Sequence, residues 1–264
     1  MKKFFVIGNP IDHSLSPKLH NYWFKKNNIE AIYDKKELNS DNLKNFISGI
    51  KEKKIFGINV TVPFKKSVIP FLDKLSPEAE TTQSVNTIYL DSEKVIGHNT
   101  DIIGFQNSIR NVSYDIKDKK ILLLGAGGVA PSIIFALNKM SVSKIFVSNR
   151  TKEKAENLKD YFENLIVVDW GEIPSFDMII NATSVGLNNN DRINLDLSKI
   201  EKGKFFYDII YNPEETEFLK LGKNLGHQTE NGKKMFIYQA AESFHIWHGV
   251  KPNVDEDTNK ILNQ

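Results

Sequence analysis

Cysteine is absent from the 264-residue chain. Its absence excludes disulfides, thiolate zinc sites and cysteine nucleophiles together. An excess of charge of one sign is also missing: 35 Lys+Arg stand against 33 Asp+Glu, a net charge of +2. The basic pairs Lys35-Lys36, Lys53-Lys54, Lys65-Lys66, Lys119-Lys120 and Lys233-Lys234 are scattered along the chain. A nucleic-acid face needs such residues clustered with stacking aromatics, so no nucleic-acid partner is expected. Long hydrophobic runs are lacking too. Phe4-Phe5-Val6-Ile7 stops at Gly8-Asn9-Pro10, short of the roughly 7–15 apolar residues of a signal peptide. No stretch approaches the roughly 18 apolar residues of a membrane span. The expectation is a cytoplasmic protein without a membrane partner. The histidines (His13, His20, His98, His227, His245 and His248) lack metal-ligand spacing with carboxylates. His245 and His248 share a helix face but have no third ligand nearby in sequence, so no metal is expected. Repeats and low-complexity segments are missing as well.

What is present is 40% hydrophobic residues, enough for a real core, in a chain long enough for one large or two moderate domains. Short apolar runs alternate with amphipathic stretches, the pattern of an α/β protein with parallel sheet. Phe4–Ile7 reads as a buried strand. Ser16-Pro17 follows as an N-cap with proline at the first helical position, and Leu19, Tyr22, Trp23 and Lys26 continue at helical spacing. Phe56–Val62 is a second strand, stopped by Pro63. Val85–Tyr89 and Lys94–Ile96, joined by Asp91-Ser92-Glu93, predict a hairpin. After Lys119-Lys120 a new series begins, with strands at Ile121–Leu124, Lys144–Ser148, Leu165–Val168, Met178–Ile180 and Phe205–Ile209. One boundary is placed near residue 101. The long apolar-faced helix Met235–His248 has no place in a sheet already complete, so the chain is expected to return to its first domain. The division is 1–101 plus 233–264 as one domain and 102–232 as the other.

The segment Gly125-Ala126-Gly127-Gly128-Val129-Ala130 follows a buried strand and opens a helix. It fits G-x-G-x-x-G/A: a tight turn, close approach of a pyrophosphate to the backbone, and close helix–sheet packing. Phosphates there would meet N–H groups at the positive helix end. An NAD site usually has Asp or Glu at the end of the next strand, to accept from the ribose 2′-hydroxyl. This chain has Asn149, Arg150, Thr151 and Lys154 there instead. A guanidinium forks onto a phosphate, so NADP(H) is the expected cofactor.

Four further clusters mix small polar side chains with strand ends: Gly8–Pro17, Asn59–Lys65, Ser84–Thr87 and Gly97–Gly104. Hydroxyls, amides, one lysine and one carboxylate suit a small polyol acid as substrate. With Asn181-Ala182-Thr183-Ser184-Val185-Gly186-Leu187, Tyr207-Asp208-Ile209-Ile210-Tyr211 and Gln239-Ala240-Ala241, they run in one order from Gly8 to Gly249. That series resembles the shikimate dehydrogenase family. The resemblance implies an N-terminal α/β substrate domain and a Rossmann-type doubly wound NADP-binding domain, with the active site in a cleft. It implies NADPH-dependent reduction of 3-dehydroshikimate to shikimate on the route to chorismate and the aromatic amino acids. It implies Ser14 and Ser16 at the substrate carboxylate and Tyr211 near it. Thr61, Asn86, Asp101 and Gln239 would contact ring hydroxyls, and Lys65 with Asp101 form the acid–base pair. Thr183 and Ile209 join the glycine-rich loop as cofactor contacts. A monomer or a homodimer is expected.

Simpler readings stand beside these: Ser16 as a mere helix cap, Thr61 as a strand-edge partner, Lys65 as one more surface lysine. A quinate/shikimate dehydrogenase that also uses NAD, a catalytically silent metabolite-binding relative, and a related enzyme acting on a folate derivative remain alternatives. One departure from the family pattern is Lys234, where a glycine is usual in Asn231-Gly232-Lys233-Lys234-Met235-Phe236.

Overall fold

A computed structural model describes residues 1–188 and 191–263, which fold into two compact units. Unit 1 is Met1–Gly104 with Ile237–Gln264, and unit 2 is Phe105–Phe236. In chain order, unit 1 contains β1 (Lys2–Gly8), α1 (Ser16–Lys26), β2 (Ala31–Glu37), α2 (Leu43–Lys51), β3 (Gly57–Val60), β4 (Lys74–Leu75), α3 (Pro77–Thr82), β5 (Thr87–Asp91) and β6 (Lys94–His98). Helix α4 (Asp101–Asn111) leads onward to β7 (Lys120–Leu124), α5 (Ala130–Lys139), β8 (Lys144–Ser148), α6 (Lys152–Glu156), β9 (Leu165–Val168), β10 (Met178–Asn181), β11 (Phe205–Asp208), α7 (Glu217–Asn224) and β12 (Gln228–Glu230). Helix α8 (Lys233–His248) carries the chain back to unit 1, which ends with α9 (Glu256–Asn263).

The sheet of unit 1 has the order β2-β1-β3-β5-β6-β4. β1 runs parallel to β2 and β3, while β5 is antiparallel to both β3 and β6. That mixture decides where the polar clusters emerge. The ends of β1, β3 and β6 and the start of β5 all lie at the same end of the sheet, so four loops distant in sequence leave it together. Beneath them lies a core of Ile7, Leu43, Ile47, Ile50, Ile58, Val60, Val68, Val85 and Ile88, all nearly inaccessible to water.

The sheet of unit 2 is wholly parallel, in the order β12-β11-β10-β7-β8-β9. Its central strand, Lys-Ile-Leu-Leu-Leu, buries four residues in a row, as a strand covered on both faces requires. The chain runs outward from β7 to β8 and β9, then continues from β10 outward on the other side. The loops after β7 and β10 therefore diverge at a topological switch point, where open α/β sheets bind ligands.

The structure moves three expected boundaries. Ser16 is not the N-cap of α1: Leu15 takes that place without a side-chain cap, and Ser16 is the first helical residue. The Ser14 hydroxyl instead accepts from the Ser16 N–H at 3.3 Å. The hairpin strands run Thr87–Asp91 and Lys94–His98; Val85, expected inside the first strand, instead donates its N–H to the Lys65 carbonyl at 2.8 Å. The strand expected at Phe56–Val62 is confined to Gly57–Val60.

Candidate functional site

In unit 1 the convergent loops bring Lys65 and Asp101 into an ion pair at 2.5 Å, with side chains only 12% and 8% exposed. Lys66, the next residue, is exposed. The second carboxylate oxygen of Asp101 accepts from Asn86 Nδ2 at 2.9 Å, and the same amide faces Gln239 Oε1 at 3.4 Å. The Asp101 N–H donates to Asn99 Oδ1 at 3.1 Å, so the carboxylate sits on a fixed first turn of α4. Lysine, aspartate, asparagine and glutamine thus form one cluster. Thr61 stands just past β3, its N–H donating to Ile7 O at 2.9 Å and its carbonyl accepting from Phe64 N–H at 2.9 Å. Ser14 is half-buried and Ser16 is buried. The strand-edge reading of Thr61 holds for its backbone, while among the described residues its hydroxyl has no hydrogen-bond partner.

In unit 2 the tight turn after β7 is real. Gly125 has φ +104°, and a Cβ there would stand 2.9 Å from the Ala182 carbonyl oxygen. Gly127 and Gly128 are exposed, and a Cβ at either would meet nothing within 4 Å. The loop thus has a dense inner side and an open outer side at the start of α5, a cradle that fits a pyrophosphate. Asn149 buttresses it, accepting from the Ala126 N–H at 3.1 Å and donating to the Thr151 carbonyl at 2.7 Å. Thr151 stands at the start of α6. Lys152 is paired with Asp169 at 2.7 Å. Arg150 and Lys154 are exposed, and among the described residues no carboxylate lies within 4 Å of either. Two unneutralised cations at a helix start fit a 2′-phosphate.

Three comparisons bear on this arrangement. The family model of the shikimate dehydrogenase substrate-binding domain matches residues 6–88. The shikimate/quinate 5-dehydrogenase model matches 107–216, and the C-terminal domain model of shikimate 5′-dehydrogenase matches 234–261. A shikimate dehydrogenase (NADP⁺) of Pelagibacter ubique is 56% identical over 99% of this chain and 98% of its own length. The chain belongs to the shikimate dehydrogenase family. A shikimate dehydrogenase from Aquifex aeolicus is 38% identical with a TM-score of 0.93, covering 100% of this chain and 98% of that one. The shikimate dehydrogenase of Thermus thermophilus, solved in complex with NADP(H) and shikimate, is 29% identical with a TM-score of 0.92 and covers 100% and 99% of the two chains. The substrate-binding and Rossmann-like NADP domains expected from the sequence are therefore the family's own.

Other candidate residues of this shikimate dehydrogenase family member have defined surroundings. Thr183 donates through both its N–H and its hydroxyl to Asn181 Oδ1, at 3.0 and 2.7 Å. Asn181 Nδ2 in turn donates to both Asp208 oxygens at 3.1 Å. Asp208 also accepts from the Ile210 N–H at 3.0 Å and from Thr216 Oγ1 at 2.7 Å. Burial raises its pKa to about 6 against these favourable bonds. Ile209 is held by its own N–H, which donates to the Asn181 carbonyl at 3.1 Å, and its carbonyl presses so closely on Gly232 that a Cβ there would lie 1.9 Å away. Tyr211 stacks on Phe236 at 4.6 Å between ring centroids. Lys234, the departure from the family's glycine, turns its ammonium to Glu230 at 3.2 Å.

Several residues escaped the sequence reading. Asn59, Tyr33, Thr87, Thr100, Ser243, Asn181 and Asp208 form the buried polar frames that hold the named groups. Five of them stand inside the motifs without a role of their own, while Tyr33 and Ser243 stand in none. Nothing in spacing alone marks a serine on α8 as facing a threonine on β5.

Proposed function

We propose that this chain catalyses the reversible, NADPH-dependent reduction of 3-dehydroshikimate to shikimate, with Lys65 and Asp101 as its acid–base pair. The observation that carries the proposal is the buried Lys65–Asp101 pair, flanked by the amides of Asn86 and Gln239. Reducing a ketone needs a hydride at carbon and a proton at oxygen. Bound NADPH supplies the hydride. Lys65 Nζ donates the proton to the carbonyl oxygen and takes it back in the reverse direction. Asp101 Oδ2 engages one ammonium hydrogen and so aims the others. Ser14 and Ser16 take the substrate carboxylate; Thr61, Asn86, Asp101 and Gln239 take ring hydroxyls, and Tyr211 stands near the carboxylate.

Gly125, Ala126, Gly127, Gly128, Val129 and Ala130 hold the pyrophosphate. Arg150, Thr151 and Lys154 hold the 2′-phosphate, with Asn149 as the brace of the loop. Thr183 and Ile209 border the nicotinamide half. The substrate is a small molecule; no helix among the described residues is long and apolar enough to cross a membrane. We place the protein in the cytoplasm as a monomer or homodimer.

Incubation with shikimate and NADP⁺, followed by proton NMR of the mixture, tests the reaction. Formation of 3-dehydroshikimate is the expected result. Turnover of quinate at a comparable rate would move the protein to the quinate/shikimate type. A folded protein that leaves both acids untouched would defeat the proposal.

A further inference from the structure

Around Asn86 lies a polar frame larger than its catalytic neighbours require. Ser243 on α8 is completely buried. Its hydroxyl accepts from Asn59 Nδ2 at 2.9 Å and donates to the Gln239 carbonyl, one turn back, at 3.1 Å. Thr87 and Thr100 lie at 2.9 and 3.2 Å from the same oxygen. Each threonine hydroxyl has one proton, shared between Ser243 Oγ and Asn86 Oδ1, which lies at 3.0 and 3.1 Å from the two, while the Thr100 N–H donates to Asn86 Oδ1 at 2.7 Å. With Oδ1 so occupied, the amide has one orientation open, and its Nδ2 meets Asp101. A flipped amide would set Oδ1 against the carboxylate. Asn59 is itself oriented, its Oδ1 accepting from the Tyr33 hydroxyl at 2.7 Å while its Nδ2 also reaches the Asn86 carbonyl at 3.0 Å. One hydroxyl on α8 therefore joins the turn carrying Gln239 to the strand and helix ends carrying Asn86 and Asp101.

We propose that Ser243 is a positioning residue, whose hydroxyl fixes the Asn86 amide and the Gln239 turn around the Lys65–Asp101 pair. The proposal rests on the reaction given above and deepens it. Ser243 touches neither the ammonium nor the carboxylate, so it acts only through its neighbours. Small displacements of reacting groups are costly: misplacement by an ångström can cost about 100-fold in rate. Loosening one hub of a network still held by two threonines costs less, on the order of tenfold in kcat by the same reasoning.

The test compares wild type, Ser243→Ala and Ser243→Thr, the last of which keeps a hydroxyl. At each pH the rate is divided by the folded fraction read from circular dichroism, so that loss of fold does not alter the shape of the pH–rate profile. Mispositioning lowers kcat on the order of tenfold and also changes the shape of the profile, while Ser243→Thr stays closer to wild type. A second readout needs no turnover: the side-chain amide signals of Asn86 in ¹⁵N NMR. These are sharp and slow to exchange in wild type and move or broaden in Ser243→Ala. If Ser243→Ala fails to fold, Ser243→Cys, which keeps the size of the side chain and weakens its hydrogen bonds, is expected to shift the same Asn86 signals. A profile that superimposes on wild type after scaling, or unchanged Asn86 signals, overturns the proposal. If wild type itself leaves 3-dehydroshikimate untouched, the proposed reaction falls, and the Asn86 signals alone decide the role of Ser243.

Discussion

His20 is fully buried, stacked on Tyr33 at 4.3 Å with the rings 2° from parallel. Trp23, Phe24, Phe244 and Trp247 complete the cage. Among the described residues neither ring nitrogen has a hydrogen-bond partner. Burial, and secondarily the nearby His248, lower its pKa from 6.5 to about 3. The imidazole is therefore neutral in the fold, while the unfolded chain binds a proton near 6.5. Stability from this group is complete above that value and is lost as pH falls from 6.5 towards 3. At pH 5 about 1.5 pH units of that window have been crossed, a loss of about 2 kcal/mol. At about 2–4 °C per kcal/mol for a chain of this size, Tm should fall by about 4–8 °C. Asp208 acts with the opposite sign: its pKa, raised from 3.8 to about 6 by burial, gives stability that is present at low pH and lost as pH rises through 6. His248 is also pushed down, to about 4, and adds to the His20 effect. Comparing wild type with His20→Leu at each pH cancels both neighbours to first order. The assay is thermal melting by circular dichroism near pH 7.5 and near pH 5. Wild type should lose about 4–8 °C more than the variant between the two. Equal losses would show that His20 accepts its proton inside the fold and would refute the reasoning.

Lys65→Ala should lower kcat about 10²–10⁴-fold, or roughly 3–5 kcal/mol of barrier, as read from NADPH consumption under saturating substrate; near-normal turnover would remove Lys65 from its role. Arg150→Ala should raise KM for NADPH about 10–100-fold, the value of a charge-assisted hydrogen bond, and leave KM for NADH nearly unchanged. Gly232→Ala should destabilise by about 1–3 kcal/mol through overpacking, because the new Cβ must displace the Ile209 carbonyl; the denaturant midpoint should fall with the m-value unchanged.

The strands of unit 2 were legible because parallel strands buried on both faces are written as unbroken apolar runs. The runs Ile121–Leu124 and Met178–Ile180, buried throughout, lie within β7 and β10 as the pattern expects. The edge strand Ala31–Glu37 was not, since five of its seven residues are exposed and polar side chains dominate it. The N-terminus of α1 misled for a related reason: Ser16-Pro17 has the composition of a cap, but the Ser14 hydroxyl reaches the Ser16 N–H and shifts the start. At the site, Lys65 and Asp101 could be named from motif, whereas their frame could not. The bonds from Ser243 to Asn59 and Thr87 span 184 and 156 residues, and no local pattern encodes such a meeting. Lys234 shows the limit from the other side. Its substitution for a glycine was visible in the sequence, while its ion pair with Glu230 depends on the first turn of α8 following directly from β12.

The most direct measurement is absorbance at the NADPH band with purified protein and 3-dehydroshikimate, run in parallel with NADPH and NADH. Rapid loss with NADPH and little with NADH is the predicted result, joining the Lys65–Asp101 pair to the cations at Arg150 and Lys154. Equal rates with both would contradict the role given to those cations. No loss with either, from a folded protein that binds NADPH, would contradict the reaction itself.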